Sequence, residues 1–247
     1  MISCRALTRR FGDFTAVDAL TLDVPKGSIC AFLGANGAGK STTVKMLTGL
    51  LRPTSGAATV CGLDVSGDAA ALKRRIGVLP ESLGLFDDLS VEEHLNLTAD
   101  IYGLPKAEAQ TRIEQLLRAL GLKDGRATFA RDCSHGMRKK TSLAMALLPN
   151  PDVLFLDEPF EAIDPVTSNV MHEILVKAAQ RGVTIFLTSH ILSTVERMAD
   201  QFVMIRKGRL VLNAFAEDLP RSIEELYFEL AEPPMAEDLA WLGQERS

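Results

Sequence analysis

The chain has 247 residues, 47% of them hydrophobic and 24% charged, which is long enough to bury a sizeable core and unlike a disordered or fibrous protein. Its formal charge of −5 offers no dominant basic face, so no nucleic-acid partner is expected. No apolar run approaches the ~18 to 20 residues of a membrane span, and any membrane role is expected to be peripheral.

The opening "MISCRALTRRFGDF" lacks the apolar core and cleavage site of a secretory signal. Cys4, Cys30, Cys61 and Cys133 show no CxxC spacing, so neither a zinc site nor a disulfide framework is suggested, and reduced cytosolic thiols are the default. "LTLDV" at 20–24 alternates strictly and runs into Pro25 and Gly27, which predicts a half-exposed antiparallel strand ending in a turn. "SICAFLG" at 28–34 reads as a buried strand, and "TTVKMLTGLL" as the start of a helix. From Ser90 to about Leu148 the pattern is helical throughout. "SVEEHLNLTADIYG" has the capping-box spacing of Ser90 and Glu93, and Val91, Leu95, Leu97, Thr98 and Ile101 form its expected apolar stripe. "PKAEAQTRIEQLLRALG" starts on proline and ends on Gly121, as a helix should.

Three further apolar runs read as buried strands: "DVLFLDE" at 152–158, "VTIFLTS" at 183–189 and "QFVMIRKG" at 201–208. After Pro220, "SIEELYFELAE" reads as a last helix or strand and "EPPMAEDLAWLGQERS" as a weakly specified tail. The order predicts an α/β fold with a mainly parallel sheet, an antiparallel β portion near the N-terminus and a helical insert. We expect a main domain over residues 1–220 with a helical subdomain at about 83–150, and a short extension over 221–247.

The chemistry starts at "GANGAGKST". Gly34, Ala35, Asn36, Gly37, Ala38, Gly39, Lys40, Ser41 and Thr42 follow an apolar strand and precede a helical run, which is the GxxxxGK[ST] pattern in the setting that gives it meaning. The glycines let backbone N–H groups turn inward, and the helix N-terminus adds its partial positive charge to a phosphate. Lys40 can bridge the outer phosphates and the Ser41 hydroxyl can ligate Mg²⁺. Such a loop predicts a metal-holding carboxylate at the end of a neighbouring strand, which "VLFLDEP" supplies in Asp157. Glu158 then stands where it can take a proton from an attacking water. His190, ending "FLTSH", is read as a γ-phosphate contact; a lone histidine at a strand end is otherwise a core or cap residue.

"RDCSHGMRKK" at 131–140 cannot be decided alone: nucleophile with base, metal ligand and basic patch all fit. The other motifs decide it. In this order they resemble the nucleotide-binding domain of an ATP-binding cassette protein, from about Ile2 to Leu212, with Cys133-Ser134-His135-Gly136-Met137 in the place of that family's LSGGQ signature. Ser134 is a plausible N-cap whose helix end can take a phosphate. The resemblance implies a head-to-tail pair of domains, identical or not, with each ATP between one partner's phosphate loop and the other's Ser134 and Gly136.

The resemblance also implies that Phe11 stacks on adenine, with Phe14 the second candidate. In "IGVLPE", Glu81 stands where the family has a glutamine that reaches the metal and attacking water and links to the permease. In "FEAIDP", Glu161 replaces a serine of the inter-subunit loop while Asp164 is retained, and Asp164 is equally an N-cap. Lys73-Arg74-Arg75 reads as a solvated face, whereas Arg138-Lys139-Lys140 is either that or an aid to recruiting the partner's nucleotide. The implied protein is an ATPase with ATP and Mg²⁺ as ligands, sitting on the cytoplasmic face of the cell membrane and driving a separate transmembrane permease. The signature, Glu81 and the short extension resemble exporter subunits. The competing classes are a soluble cassette of repair or translation, which would need a long coiled coil or a second cassette, and an unrelated P-loop kinase or GTPase, which needs neither the signature nor His190.

Overall fold

A computed structural model describes residues 1–231. The tail that reads as weakly specified from sequence, residues 232–247, lies outside the described residues.

Two sheets form the body. Strands β1 (Ile2–Phe11), β2 (Phe14–Val24), β4 (Ser55–Val60) and β5 (Leu63–Asp64) make an antiparallel sheet in the order β2-β1-β4-β5. Strands β3 (Ile29–Leu33), β6 (Ile76–Leu79), β7 (Val153–Leu156), β8 (Thr184–Ser189), β9 (Gln201–Arg206) and β10 (Arg209–Phe215) make the second, in the order β10-β9-β3-β8-β7-β6. Within it only the β9–β10 hairpin is antiparallel.

The period-2 rule of strands divides the core cleanly. In β3, Cys30 and Phe32 face one apolar cluster while Ile29, Ala31 and Leu33 face another. Val153 and Phe155 of β7, Phe186 of β8 and Val203 and Ile205 of β9 join the first, which is closed by the antiparallel sheet and by α1 (Lys40–Leu47). Their alternate neighbours join the second, under helices α3 (Val91–Ile101), α4 (Lys106–Ala119), α5 (His135–Leu147) and α6 (Pro165–Gln180). Both faces of the parallel strands are thus covered, which is why they are continuously apolar in sequence. Short helices α2 (Ala69–Lys73) and α7 (Leu192–Val195) fill connections. The final segment is a helix, α8 (Ile223–Ala231), seated against α7 and β9.

The Ser90 capping box forms as predicted, with the Ser90 amide donating to Glu93 Oε2 at 2.7 Å and the Glu93 amide donating to Ser90 Oγ at 3.2 Å. The stripe behind it differs from expectation. Ile101 is 73% exposed, and the buried face instead carries His94 and Ala99 with Val91, Leu95 and Thr98. His94 fits an apolar face because both ring nitrogens are used: Nε2 accepts from the Phe86 amide at 2.9 Å, which leaves Nδ1–H to donate to the Ser90 carbonyl at 2.8 Å. Strands β1, β4, β5, β6 and β10 were not among the predicted elements.

Candidate phosphate and nucleotide site

Parallel pairing sets the site. Leu33 pairs with Ser189, and Leu156 with both Leu187 and Leu79, so β3, β8, β7 and β6 end together at one edge of the sheet. Gly34, His190, Asp157 and Glu81 follow or closely follow those strand ends, at the C-terminal edge where α/β proteins bind ligands.

The glycine loop is held by contacts no other residue permits. A Cβ on Gly39, where φ is +109°, would lie 2.4 Å from the Ala16 carbonyl oxygen, and one on Gly34 would lie 2.6 Å from that of Ile205. Gly39 is also the N-cap of α1 and supplies no side chain, so the first-turn N–H groups remain for a ligand. Lys40 is almost wholly buried; its Nζ donates to the Gly34 carbonyl at 2.8 Å and pairs with Glu158 Oε1 at 3.1 Å. A bound phosphate would compete with those two oxygens for the same three N–H donors.

Glu158 is hydrogen-bonded at its amide, its carbonyl and Oε2, while Oε1 has the Lys40 ion pair and no hydrogen bond. Its backbone is in the left-handed region at φ 49°, a conformation costly for a residue with a side chain. The amide donates to Thr188 Oγ1 at 2.9 Å, and the carbonyl accepts from Lys139 Nζ and from the Glu161 amide at 3.3 Å. Side-chain Oε2 accepts from His190 Nδ1 at 3.0 Å, which leaves the other ring nitrogen for a ligand. Thr188, itself fully buried, donates a hydrogen bond to Asp157 Oδ1 at 2.6 Å. One hydroxyl therefore ties the Asp157 carboxylate to the Glu158 backbone.

A cavity of about 380 Å³ lies over the loop. Its lining brings together Asn36, Lys40, Ser41, Glu81, Glu158 and His190, with Glu161 beside them. Phe14 lines it, and Phe11 does not; the Phe11 ring, 47% exposed, lies under the Arg9 guanidinium at 4.5 Å from its centroid. Asp157 lines the adjoining cleft together with Glu81.

None of residues 133–137 lines the phosphate cavity. Ser134 caps α5, its Oγ accepting from the Met137 amide at 3.2 Å, and Ser134 and His135 are exposed. Asp164 caps α6, accepting from the Thr167 amide at 2.9 Å, and the two helix starts touch: a Cβ on Gly136 would lie 3.3 Å from Thr167 Oγ1 and 3.6 Å from Asp164 Oδ2. The hydrogen bonds to Thr167 hold the Asp164 carboxyl below the usual carboxylate range. The basic run divides. Arg138 pairs with Asp87 at 3.6 Å, whereas Lys139 is buried beneath the site, and burial pushes its ammonium down in spite of Glu161, Glu158, Asp157 and Glu81 around it. Lys139 is thus no part of a recruiting surface. Lys73, Arg74 and Arg75 are exposed, as a solvated face should be.

Residues 17–161 match the family model described as ABC transporter. The chain belongs to the ABC transporter family. Within it, this is an ATP-binding domain and an ATPase. It is 34% identical to the probable multidrug ABC transporter ATP-binding protein YbhF of Escherichia coli strain K12, over 89% of this chain but only 38% of that protein's length. It is 35% identical to the ABC transporter ATP-binding protein NatA of Bacillus subtilis strain 168, over 90% of this chain and 92% of NatA. A solved ATP-binding subunit of an ABC transporter superposes with a TM-score of 0.87 at 33% identity, covering 93% of this chain and 98% of that one.

Sequence reasoning missed Thr188 and Lys139. Thr188 carries a weak signal, since it is a polar residue in the apolar run "TIFLTS"; Lys139 carries none that separates it from Arg138 and Lys140.

Proposed function

We propose that this ABC ATPase domain powers an exporter through a separate transmembrane permease, held at the cytoplasmic face of the membrane, and that it works as a head-to-tail pair of cassettes around two Mg-ATP. The observation that supports this is the separation within one chain of the phosphate cavity from the capped, exposed signature end of α5, which leaves each half-site to be completed by another molecule. Among the described residues no helix is long and apolar enough to cross a membrane. The names of relatives that export or transport multidrug compounds, Nod factor and bacitracin point to export.

In this reading Gly34 to Thr42 hold the phosphates, Lys40 turns from Glu158 to the outer phosphates, and the β1–β2 tip supplies the adenine platform. Phe11 is the residue the family pattern selects there, and Phe14 is the one on the cavity. The Ser41 hydroxyl and the carboxylates of Asp157 and Glu81 are hard oxygen donors of the kind Mg²⁺ takes. Bound there, the ion would neutralise phosphate charge. Among the described residues no three His, Cys, Asp or Glu side chains form a metal cage, which fits an ion shared with nucleotide and water. Glu158, freed from Lys40, accepts the proton of the water that attacks the γ-phosphate, and His190 orients Glu158 and contacts that phosphate. Ser134, Gly136 and Asp164 complete the opposite site. We further assign residues 1–220 to one ATPase domain with the helical subdomain at about 83–150, and 221–247 to a C-terminal extension.

Steady-state ATP titration tests the pairing. A Hill coefficient clearly above 1 is expected, with loss of turnover on dilution. Hyperbolic kinetics from a monomer would contradict the reading.

A further inference from the structure

Helix α5 carries more than the signature end. Gly136, Lys139 and Ser142 recur every three residues and so share one face. That face touches two loops of the chain's own nucleotide site and the start of α6, which belongs to the opposite site. Gly136 packs on Asp164 and Thr167 at the start of α6, Lys139 Nζ donates to the Glu158 carbonyl, and Ser142 Oγ donates to the Leu83 carbonyl at 3.0 Å, two residues beyond Glu81. Lys139 is 3% exposed, too deep to meet a ligand itself.

We propose that Lys139 is a positioning residue for Glu158, through which α5, whose exposed end meets the second molecule's nucleotide, sets the geometry of the base in its own chain. Three observations carry this. The carbonyl that Lys139 holds belongs to the residue with the strained φ of 49°, so the contact bears on a peptide that would otherwise relax. The anchor is a long side chain rooted in the helix next to the signature, so a small rotation or shift of α5 moves the lysine head directly. Ser142 ties the same helix to the Glu81 segment, so the movement reaches both carboxylate loops together. The inference rests on the head-to-tail pairing proposed above.

The test compares wild type with Lys139→Met, which keeps the bulk of the stem, Lys139→Arg, which keeps a donor, and Lys139→Gln, which keeps a shorter neutral donor. Misplacement of a reacting group by about 1 Å costs on the order of 10²-fold in rate. The Met variant is expected to lose kcat by about that factor with KM for ATP changed less than about threefold, and to lose its positive cooperativity, while Arg restores both. In a Glu158→Gln background the Met substitution should still allow an ATP-trapped dimer, which shows that fold and nucleotide binding survive. If Met does not fold, Gln is read on the same axes, with a smaller loss of kcat and the same loss of cooperativity. Wild-type kcat and cooperativity in a folded Met or Gln variant, or failure of Arg to restore them, would overturn the role of Lys139. Absence of cooperativity and of a trapped dimer in protein with Lys139 intact would instead overturn the pairing, and the link with it.

Discussion

Thr188→Val removes one hydroxyl and keeps nearly the same shape, so its effect can be worked from two hydrogen bonds. Thr188 Oγ1 donates a hydrogen bond to Asp157 Oδ1 at 2.6 Å and accepts one from the Glu158 amide at 2.9 Å. All three residues are buried. A hydrogen bond to a charged group contributes about 1.5–3 kcal/mol, and a buried donor left unpaired costs about 1–3 kcal/mol. Partial relaxation makes about 3 kcal/mol a fair expectation, or a fall in Tm of about 6–12 °C for a domain of this size. Because the same hydroxyl orients the Asp157 carboxylate and anchors the backbone of Glu158, kcat should fall by about 10- to 100-fold with KM for ATP little changed. Urea unfolding and steady-state ATPase assays read the two effects, and Thr188→Ser, which keeps the hydroxyl, should recover most of each. A Val variant within about 0.5 kcal/mol of wild type and with normal turnover would refute the assignment of Thr188 as the hinge of the acidic pair.

Gly39→Ala should abolish nucleotide binding measured by calorimetry, because its Cβ would meet the Ala16 carbonyl at 2.4 Å and force the loop apart; retained affinity would mean that the cradle is softer than its contacts imply. Glu81→Ala should weaken Mg²⁺-dependent turnover and coupling to the permease, whereas Glu81→Gln should alter Mg²⁺ dependence alone; if neither changes anything, Glu81 has no part in the site. Arg126 donates to both Glu92 oxygens, at 2.8 Å from Nε to Oε2 and through Nη2 to Oε1, and holds the Glu92 carboxyl below its ordinary 4.5. A depressed carboxylate stabilises the fold above the unfolded value and loses that stabilisation as pH falls through the folded one. Arg126→Gln should therefore lower stability by about 1 kcal/mol at pH 7, with the gap to wild type closing below about pH 4 in urea titrations. A gap independent of pH would show that Arg126 acts through packing instead.

What sequence carries and what it hides have physical reasons. The phosphate loop, Asp157, Glu158 and His190 are legible because each is marked by its own strand and by local spacing, and parallel register then brings the strand ends together. Strand β6 is four residues long and runs straight into Pro80, and β4, "SGAATV", is mostly small residues, so neither makes an apolar run long enough to see. Ile101 continues the helical stripe in sequence yet lies at the last turn of α3, where the helix leaves its cover. The role of Lys139 depends on which way one turn of α5 faces, a rotation that three consecutive basic residues cannot encode. Phe14 reaches the cavity because the β1–β2 turn pairs it with Phe11, and pairing is likewise a property of the hairpin rather than of either residue.

The central claim is that two of these chains close around ATP, each completing the other's site. Glu158→Gln removes the base while leaving a side chain of the same size for His190 and Lys40, so bound ATP should persist. Light scattering after size exclusion is then decisive. With Mg-ATP this variant should run at twice the 26.8 kDa mass of the chain, and revert to monomer with ADP or when Ser134 is replaced by a bulky residue. A Glu158→Gln protein that binds ATP and stays monomeric at high concentration would contradict the account.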